Sequence, residues 1–382
     1  MKKVLVGLSG GVDSAVAAYL LKKQGYDVTG AFMRNWDSAT NNDILGNPTI
    51  KDDVCPQEKD YHDAQKVAEK LGIELLRVDF VKEYWDDVFE NFISEHQKGR
   101  TPNPDILCNK YIKFAAFFDY AMNKGFDLVA TGHYARVQEK NGVYNLLKAV
   151  DQNKDQSYFL AQINRQVLKN TLFPLGNIDK PQVRSIALET DIPVAQKKDS
   201  TGICFIGERN FREFLQNYLP SKEGNIIDIV SKEVVGKHMG VLYYTIGQRK
   251  GLGIGGDHGR WFVVGKDVEN NELYVTCQND EQWLNSDSCL VSNFNFLVDF
   301  DFPKQCNCKF RYRQKDNPVM IEKSTDGMIL VKYPQKIKAV TPGQQAVFYD
   351  GDVCLGGGVI EKTYINNVWH QQMLHEHIHG EK

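Results

Sequence analysis

The chain has 382 residues, 42% hydrophobic and 25% charged, with a formal net charge of −3. This describes a globular protein of two or three domains and excludes a disordered, fibrous or disulfide-stapled chain, since only eight cysteines are present. The charge excludes a globally basic nucleic-acid binder but leaves room for a local basic patch.

In chain order, Lys2–Leu8 predicts a short buried strand and Ser14–Gln24 a helix stopped by Gly25. The apolar run of that strand ends at Ser9, too short for a signal peptide, and no stretch of about 18 apolar residues follows. The expectation is a cytoplasmic protein with reduced thiols and no membrane partner. Tyr26–Met33 predicts a strand, Asn41–Lys59 a mobile polar loop, Asp60–Leu71 a helix and Ile73–Phe80 a strand. Lys82–Gln97 and Lys113–Lys124 predict helices and Asp127–Thr131 another strand. This alternation predicts an α/β domain whose parallel sheet is covered on both faces. Asn141-Gly142 predicts a hairpin. Residues 155–219 read as mostly helical, with Pro181 in a first turn. From Gly224 to Ile360, short β-branched and aromatic runs alternate with turns, which predicts an all-β second half of two small modules. The resulting division is 1–205, 206–280 and 281–365. A tail, 366–382, carries His370, His375, His377 and His379; these histidines offer a metal-chelation reading, but the tail is expected to be frayed and solvated.

The densest chemical signal is Ser9-Gly10-Gly11-Val12-Asp13-Ser14, between the first strand and the first helix. Glycines let the backbone approach phosphates, and the helix N-terminus points free N–H groups at them. Walker A is excluded because no Gly-Lys-Ser/Thr follows, and a Rossmann fingerprint because Gly-x-Gly-x-x-Gly is absent. Asp13 is placed to hold Mg2+ on the phosphates. The string resembles the pyrophosphate loop of the N-type ATP pyrophosphatases, which split ATP into AMP and pyrophosphate and adenylate a carbonyl oxygen.

Two cysteine segments narrow the chemistry. In Gly99–Asn109, Pro102 and Pro104 keep the approach out of helix, so Cys108 falls near the start of the next helix. That helix N-terminus, with Lys110 and Lys113, favours thiolate, and Asp105 is an acid/base candidate. In Lys197–Gly207, Cys204 follows a basic, glycine-containing loop. A single cysteine is most often a buried small hydrophobe. Two of them beside an ATP-activation loop in a reducing compartment point to catalysis. By contrast, Cys306-x-Cys308 reads as β-strand filler and Cys55 has no assigned role.

With Phe32–Trp36, Thr131–Tyr134, Asn153–Phe159, Gly247–Gly256 and Arg311–Arg313, these segments resemble the bacterial tRNA-specific 2-thiouridylases from Val4 to about Glu361. The resemblance implies an ATP pyrophosphatase domain, a small β-rich central domain and a C-terminal β-barrel that binds tRNA. It implies ATP-dependent exchange of oxygen for sulfur at C2 of the wobble uridine in lysine, glutamate and glutamine tRNAs. It implies ATP contacts at Gly7, Leu8, Ser9, Gly10, Gly11, Val12, Asp13, Ser14, Met33 and Gly132. The target base falls to Asn103, Pro104 and Asp105, and other tRNA contacts to His133, Lys154, Asp155, Gln156, Arg311, Tyr312 and Gln344. Cys108 takes the role of nucleophile and Cys204 that of persulfide carrier, loaded by a cysteine desulfurase or a sulfur-relay protein. Arg249 and Lys250 beside Arg260 suit a phosphate backbone, and Arg311, Arg313 and Lys315, interleaved with Tyr312, read as an RNA face. Two alternatives stay open from the residues: an ammonia-using ligase or amidotransferase, and thiolation through an iron–sulfur cluster on Asp105, Cys108 and Cys204.

Overall fold

Apolar, β-branched runs build the first sheet. Strands β1 (Lys3–Gly7), β2 (Asp27–Arg34), β3 (Leu75–Asp79) and β4 (Leu128–Ala130) pair in parallel. Val4, Leu5 and Val6 are fully buried, as in a central strand covered on both faces. The computed structural model describes residues 1–380 except 50, 51, 53–55, 200, 201, 205, 208 and 256–258, and not the side chain at 279. Cys55, Ser200, Thr201 and Gly256 therefore lie outside the described residues.

The helix Val12–Lys23 buries Ala15, Val16, Ala17, Ala18 and Leu21, which lets it sit deep against the sheet. The helix Pro56–Leu71 buries only Ala64, Val67, Ala68 and Leu71, an i, i+3, i+4, i+7 stripe. A hairpin of β5 (Ala135–Lys140) and β6 (Val143–Lys148) turns at Asn141 and Gly142, both at positive φ. β7 (Thr171–Leu172) completes the parallel sheet in the order β3-β2-β1-β4-β7. The winding reverses between β1 and β4, so the crevice for a ligand opens at their C-terminal ends.

Residues 155–219 are less helical than expected. Helix is confined to Lys180–Glu189 and Phe211–Gln216, with 3-10 turns at Ser157–Leu160 and Arg165–Asn170. Side chains divert the backbone there: Asp155 accepts from the Ala149 and Ser157 amides, and Asn164 from the Gln166 amide.

The second sheet is small: β8 (Gly224–Asp228), β9 (Val234–His238), β10 (Trp261–Asp267) and β11 (Glu272–Cys277), ordered β10-β11-β8-β9. Its apolar face joins that of the first domain. Leu5, Trp36, Phe89 and Cys108 share one buried cluster with Phe214, Tyr243, Val263 and Val275. The third sheet is a closed barrel of β12 (Asn285–Phe296), β13 (Lys304–Lys309), β14 (Asn317–Lys323), β15 (Ile329–Lys338), β16 (Gln345–Asp350) and β17 (Val353–Ile365). The order is β12-β15-β14-β13-β16-β17, and β12 also pairs with β17, which leaves no free edge between them. Leu147 of β6 pairs with Val353, so the hairpin from the first domain extends the barrel sheet. β18 (Val368–Trp369) folds back on β17.

In two segments expected to be mobile, described residues make fixed contacts instead. In the polar loop, Asn41, Asp43 and Asn47 are buried. Asp43, fully buried, pairs with Arg209 at 2.7 Å and accepts from Trp36 Nε1 at 3.0 Å. Tyr218 donates to the Asn41 carbonyl at 2.8 Å. Arg209 and Tyr218 lie more than 160 residues from their partners, outside the reach of local pattern reading. The tail likewise forms a helix, His370–His379, that buries Leu374 against the central sheet.

Removing the cation of this buried pair leaves a carboxylate in the core. Arg209→Met is expected to cost about 3–5 kcal/mol of stability. Urea unfolding followed by tryptophan fluorescence, which reports on Trp36, checks this; an unchanged midpoint would show that the loop is held by other contacts.

Candidate active site

The phosphate loop follows β1 directly. Gly10 has φ +74, and a Cβ there would lie 2.2 Å from the Asp60 carbonyl oxygen, so only glycine fits. Ser14 Oγ donates to the Gly11 carbonyl at 3.0 Å and accepts from the Ser9 amide at 3.2 Å, which sets the curve of the loop. Gly132, after β4, lies against the Asp13–Ser14 backbone; a Cβ there would be 2.8 Å from the Ser14 amide nitrogen. Met33 at the end of β2 reaches to 3.1 Å from the Cβ position of Gly7. Four separate segments, Gly7–Ser14, Met33, Gly132 and the start of the Lys180 helix, thus meet at the crevice.

Cations surround this loop and are held by acids. Lys180 Nζ lies 2.7 and 2.8 Å from the two Asp13 oxygens, and Tyr134 donates to Oδ1 at 2.7 Å. Asp199 links Lys154, Lys180 and Arg184 at 2.6–2.8 Å. These hydrogen bonds and charges hold its carboxyl well below the usual range despite partial burial. Lys197 reaches the Gly10 carbonyl at 3.0 Å together with Asp60 and Asp63. Asp13, expected as a magnesium ligand, already has both oxygens engaged by Lys180, and that donor set does not fit a metal as it stands. Lys180 and Tyr134 were missed from sequence, where Lys180 reads only as the start of a capped helix behind Asp179.

The cysteine site lies on the other face of β1. Asn103 caps the helix Pro104–Leu107 by accepting from the Asp105 and Ile106 amides at 3.2 and 3.4 Å. The helix then widens into π-type turns over Cys108–Ala116, a local irregularity common at functional sites. Asp105 Oδ1 accepts from the Cys204 amide at 2.9 Å, and Tyr84 donates to the Cys204 carbonyl at 2.9 Å. The peptide of Cys204 is thereby held from both sides, and its sulfur lies 3.9 Å from that of Cys108.

The two thiols differ in environment. Burial, the hydrogen bond to Cys204 and the negative charge there push the Cys108 thiol well up. The hydrogen bond from Cys108 and the Lys113 ammonium outweigh burial at Cys204 and pull its thiol below the ordinary value. Of the two thiols, Cys204 is therefore the one that ionises first, with Cys108 donating its S–H to it. Burial raises the Asp105 carboxyl, offset in part by the Cys204 amide and the Lys113 charge. An acid with a raised pKa, bonded to the Cys204 backbone and near the Lys113 charge, is suited to proton transfer.

Family models match three consecutive stretches: a tRNA methyl transferase HUP domain over residues 2–208, a tRNA methyl transferase PRC-barrel domain over 212–277, and an aminomethyltransferase beta-barrel domain over 286–360. A curated relative from Mycoplasma capricolum, named tRNA-specific 2-thiouridylase MnmA, is 58% identical across 95% of this chain and 99% of its own. One from Mycoplasmopsis pulmonis with the same name is 55% identical across 96% and 98%. The chain belongs to the tRNA-specific 2-thiouridylase family. A similar relative from Acholeplasma laidlawii, 54% identical, covers 95% of this chain and 97% of its own.

For a 2-thiouridylase, several expected tRNA contacts have other work in this structure. His133 is buried between Phe114 and Phe173, and Thr131 holds its Nδ1 at 2.7 Å. The Asp155 carboxylate is buried and accepts from Ala149, Ser157 and the Ser157 hydroxyl. Gln156 Oε1 accepts from the Tyr134 amide at 2.9 Å. Arg311 donates to the Ile246 carbonyl and the Thr341 hydroxyl, and Gln344 to the Thr101 carbonyl at 2.8 Å. Tyr312 packs on Phe159 with ring centroids 4.4 Å apart. Lys154 lies half-buried against Asp199. The exposed cations in these regions are Arg249, Lys250, Arg260, Arg313 and Lys315. Cys308 is buried in the barrel core, and Cys306 packs against it, as filler should.

The unequal thiols yield a reactivity test. Iodoacetamide is expected to label Cys204 before Cys108, with the labelling rate rising at lower pH than for an ordinary thiol. Lys113→Met removes a charge that favours the thiolate and should move that rise to higher pH. Peptide mapping across a pH series checks both; first labelling of Cys108 would reverse the charge assignment.

Proposed function

We propose that this chain thiolates the wobble uridine of lysine, glutamate and glutamine tRNAs, with ATP as activator and a persulfide on Cys204 as sulfur source. The observation that carries the reading is the Cys108–Cys204 pair at 3.9 Å, with Asp105 bonded to the Cys204 amide, in the domain that holds the phosphate loop. ATP binds at Gly7–Ser14, Met33 and Gly132, and magnesium enters as its counterion.

The uracil C2 oxygen is a poor leaving group. Its attack on the ATP α-phosphorus expels pyrophosphate and leaves an adenylated oxygen. The target base rests against Asn103, Pro104 and Asp105. The Cys204 thiolate first accepts a sulfane sulfur from a desulfurase or relay protein. The terminal sulfur of that persulfide then adds to C2, and AMP leaves with its oxygen. Cys108, once deprotonated, attacks Cys204 sulfur and breaks the S–S bond, supplying the two electrons that release the thiocarbonyl. Direct attack of Cys108 on the persulfide, releasing hydrosulfide to attack C2, balances equally. Both routes end in a Cys108–Cys204 disulfide that an external thiol must reduce. In this reading Asp105 takes the Cys108 proton.

The tRNA backbone meets Arg249, Lys250, Arg260, Arg313 and Lys315. Arg311, anchored on Ile246, supports that surface from within; the family resemblance assigns His133, Lys154, Asp155, Gln156, Arg311, Tyr312 and Gln344 to tRNA contact as well.

Sulfur loading separates this reading from its rivals. After incubation with a desulfurase and labelled cysteine, Cys108→Ser is expected to retain label on Cys204 and Cys204→Ser to carry none. Neither variant should make 2-thiouridine, yet both should still release pyrophosphate on tRNA. Full thiolation by either variant would sink the two-cysteine mechanism. Iron in the anaerobically purified wild type, with label in neither variant, would favour a cluster instead. On the RNA side, Arg313→Ala should reduce the slope of log affinity against log salt by about one unit, because one phosphate contact is lost.

A further inference from the structure

Outside the active site, the C-terminal helix His370–His379 carries four histidines in two different situations. His370 Nε2 lies 2.8 Å from the Trp283 carbonyl, and His377 Nε2 lies 2.9 Å from the Ile229 carbonyl. These two pin the helix to the chain. The other two, His375 and His379, are one turn apart and share a face. They meet two acids of the central sheet. His375 Nδ1 lies 2.8 Å from Asp267 Oδ2, and His379 Nε2 lies 2.9 Å from Glu272 Oε2. The imidazole centroids are 4.8 Å apart, and the ligand atoms of Asp267, His375 and His379 lie within 4.8 Å of one another.

We propose that His375, His379 and Asp267, with Glu272 beside them, form a binding site for a divalent transition metal of the zinc type. Two imidazoles and one or two carboxylates are a donor set that suits zinc, cobalt or nickel and not magnesium or calcium. Tetrahedral zinc with bonds of about 2.0–2.2 Å needs its ligand atoms about 3.3–3.5 Å apart. The His–carboxylate contacts of 2.8 and 2.9 Å need to open by about half an ångström to reach that spacing, and the wider separations within the triad, up to 4.8 Å, need to close by up to about 1.4 Å, which side-chain rotation supplies.

The surroundings orient the ligands as an outer shell does. The Asn270 amide donates to Asp267 Oδ1 at 2.9 Å and its side chain to Oδ2 at 3.0 Å, which fixes the carboxylate. The Tyr274 hydroxyl lies 3.2 Å from Asp267 and 3.3 Å from Glu272, bridging both acids. The His375 and His379 side chains are 27% and 33% exposed, which leaves an entry path. The helix continues from β17 and β18 of the barrel, and Asp267 and Glu272 flank the β10–β11 turn of the central sheet. A bound metal would therefore cross-link the barrel's last segment to the central domain.

The test uses the full chain, stripped with a chelator and dialysed. Titration with Zn2+ in a calorimeter and with Co2+ in a visible spectrometer gives the number of ions bound and their coordination. Wild type is expected to bind one ion more than the His375→Gln/His379→Gln double variant, and to melt at a higher temperature with Zn2+. Each single variant should lose at least about tenfold in affinity. Asp267→Asn, which keeps the side-chain shape, should weaken binding as well, and His377→Gln should leave it intact. Metal-free melting curves show whether each variant is folded. An ion held by Cys108 and Cys204 would persist in the histidine double variant and show sulfur-to-cobalt charge transfer. Equal stoichiometry and affinity in wild type and the folded double variant would overturn the proposal, as would loss of binding in His377→Gln alone.

Discussion

The clamp on the Cys204 peptide is the constraint around which the site is built. Its amide is taken by Asp105 and its carbonyl by Tyr84, so a residue 96 positions downstream is docked on the first turn of the Cys108 helix. Both bonds are to backbone, so they fix the Cα of Cys204 and leave only its side-chain rotamer to set the sulfur. The asymmetry of the thiols follows from this docking. Cys108 faces the apolar core and is fully buried, while Cys204 is placed where Lys113 can balance a negative charge. The sulfur nearer the surface is therefore the one that ionises first.

The phosphate loop depends on a second set of opposed charges. Lys180 and Lys197 are paired with Asp13, Asp60, Asp63 and Asp199. Any phosphate chain entering the loop competes with those carboxylates for the same cations. The loop is thus rigid in backbone, through Gly10 and the Ser9–Ser14 contacts, but exchangeable in side-chain pairing.

The barrel does more than offer a basic surface. Arg100 pairs with Glu361 at 2.8 Å and donates to the Ile360 carbonyl, the Thr101 amide donates to Pro342, and Gln344 donates to Thr101. The segment that leads to Cys108 is therefore braced on the barrel. Arg311, reaching Ile246, braces the barrel on the central module in turn. Residues that look like RNA contacts by composition hold the frame on which the exposed cations are displayed.

Much of this was written in local pattern. The strand–glycine loop–helix unit, the hairpin at Asn141-Gly142 and the β-rich second half follow from spacing and turn chemistry, which act over a few residues. The two cysteine segments stood out for the same reason: prolines, glycine and lysines lie beside them in sequence. Only the tertiary structure decided what depends on distant partners. It brought Lys180 and Tyr134 onto Asp13, buried Asp43 against Arg209, extended the barrel with β6 and packed the histidine-bearing tail on the central sheet. A buried carboxylate and a solvated one have the same sequence signature, since neither burial nor a partner more than a hundred residues away leaves a periodic trace. Sequence therefore determined which chemistry this chain carries, and tertiary packing determined which sulfur holds the charge and which cations are free to meet a ligand.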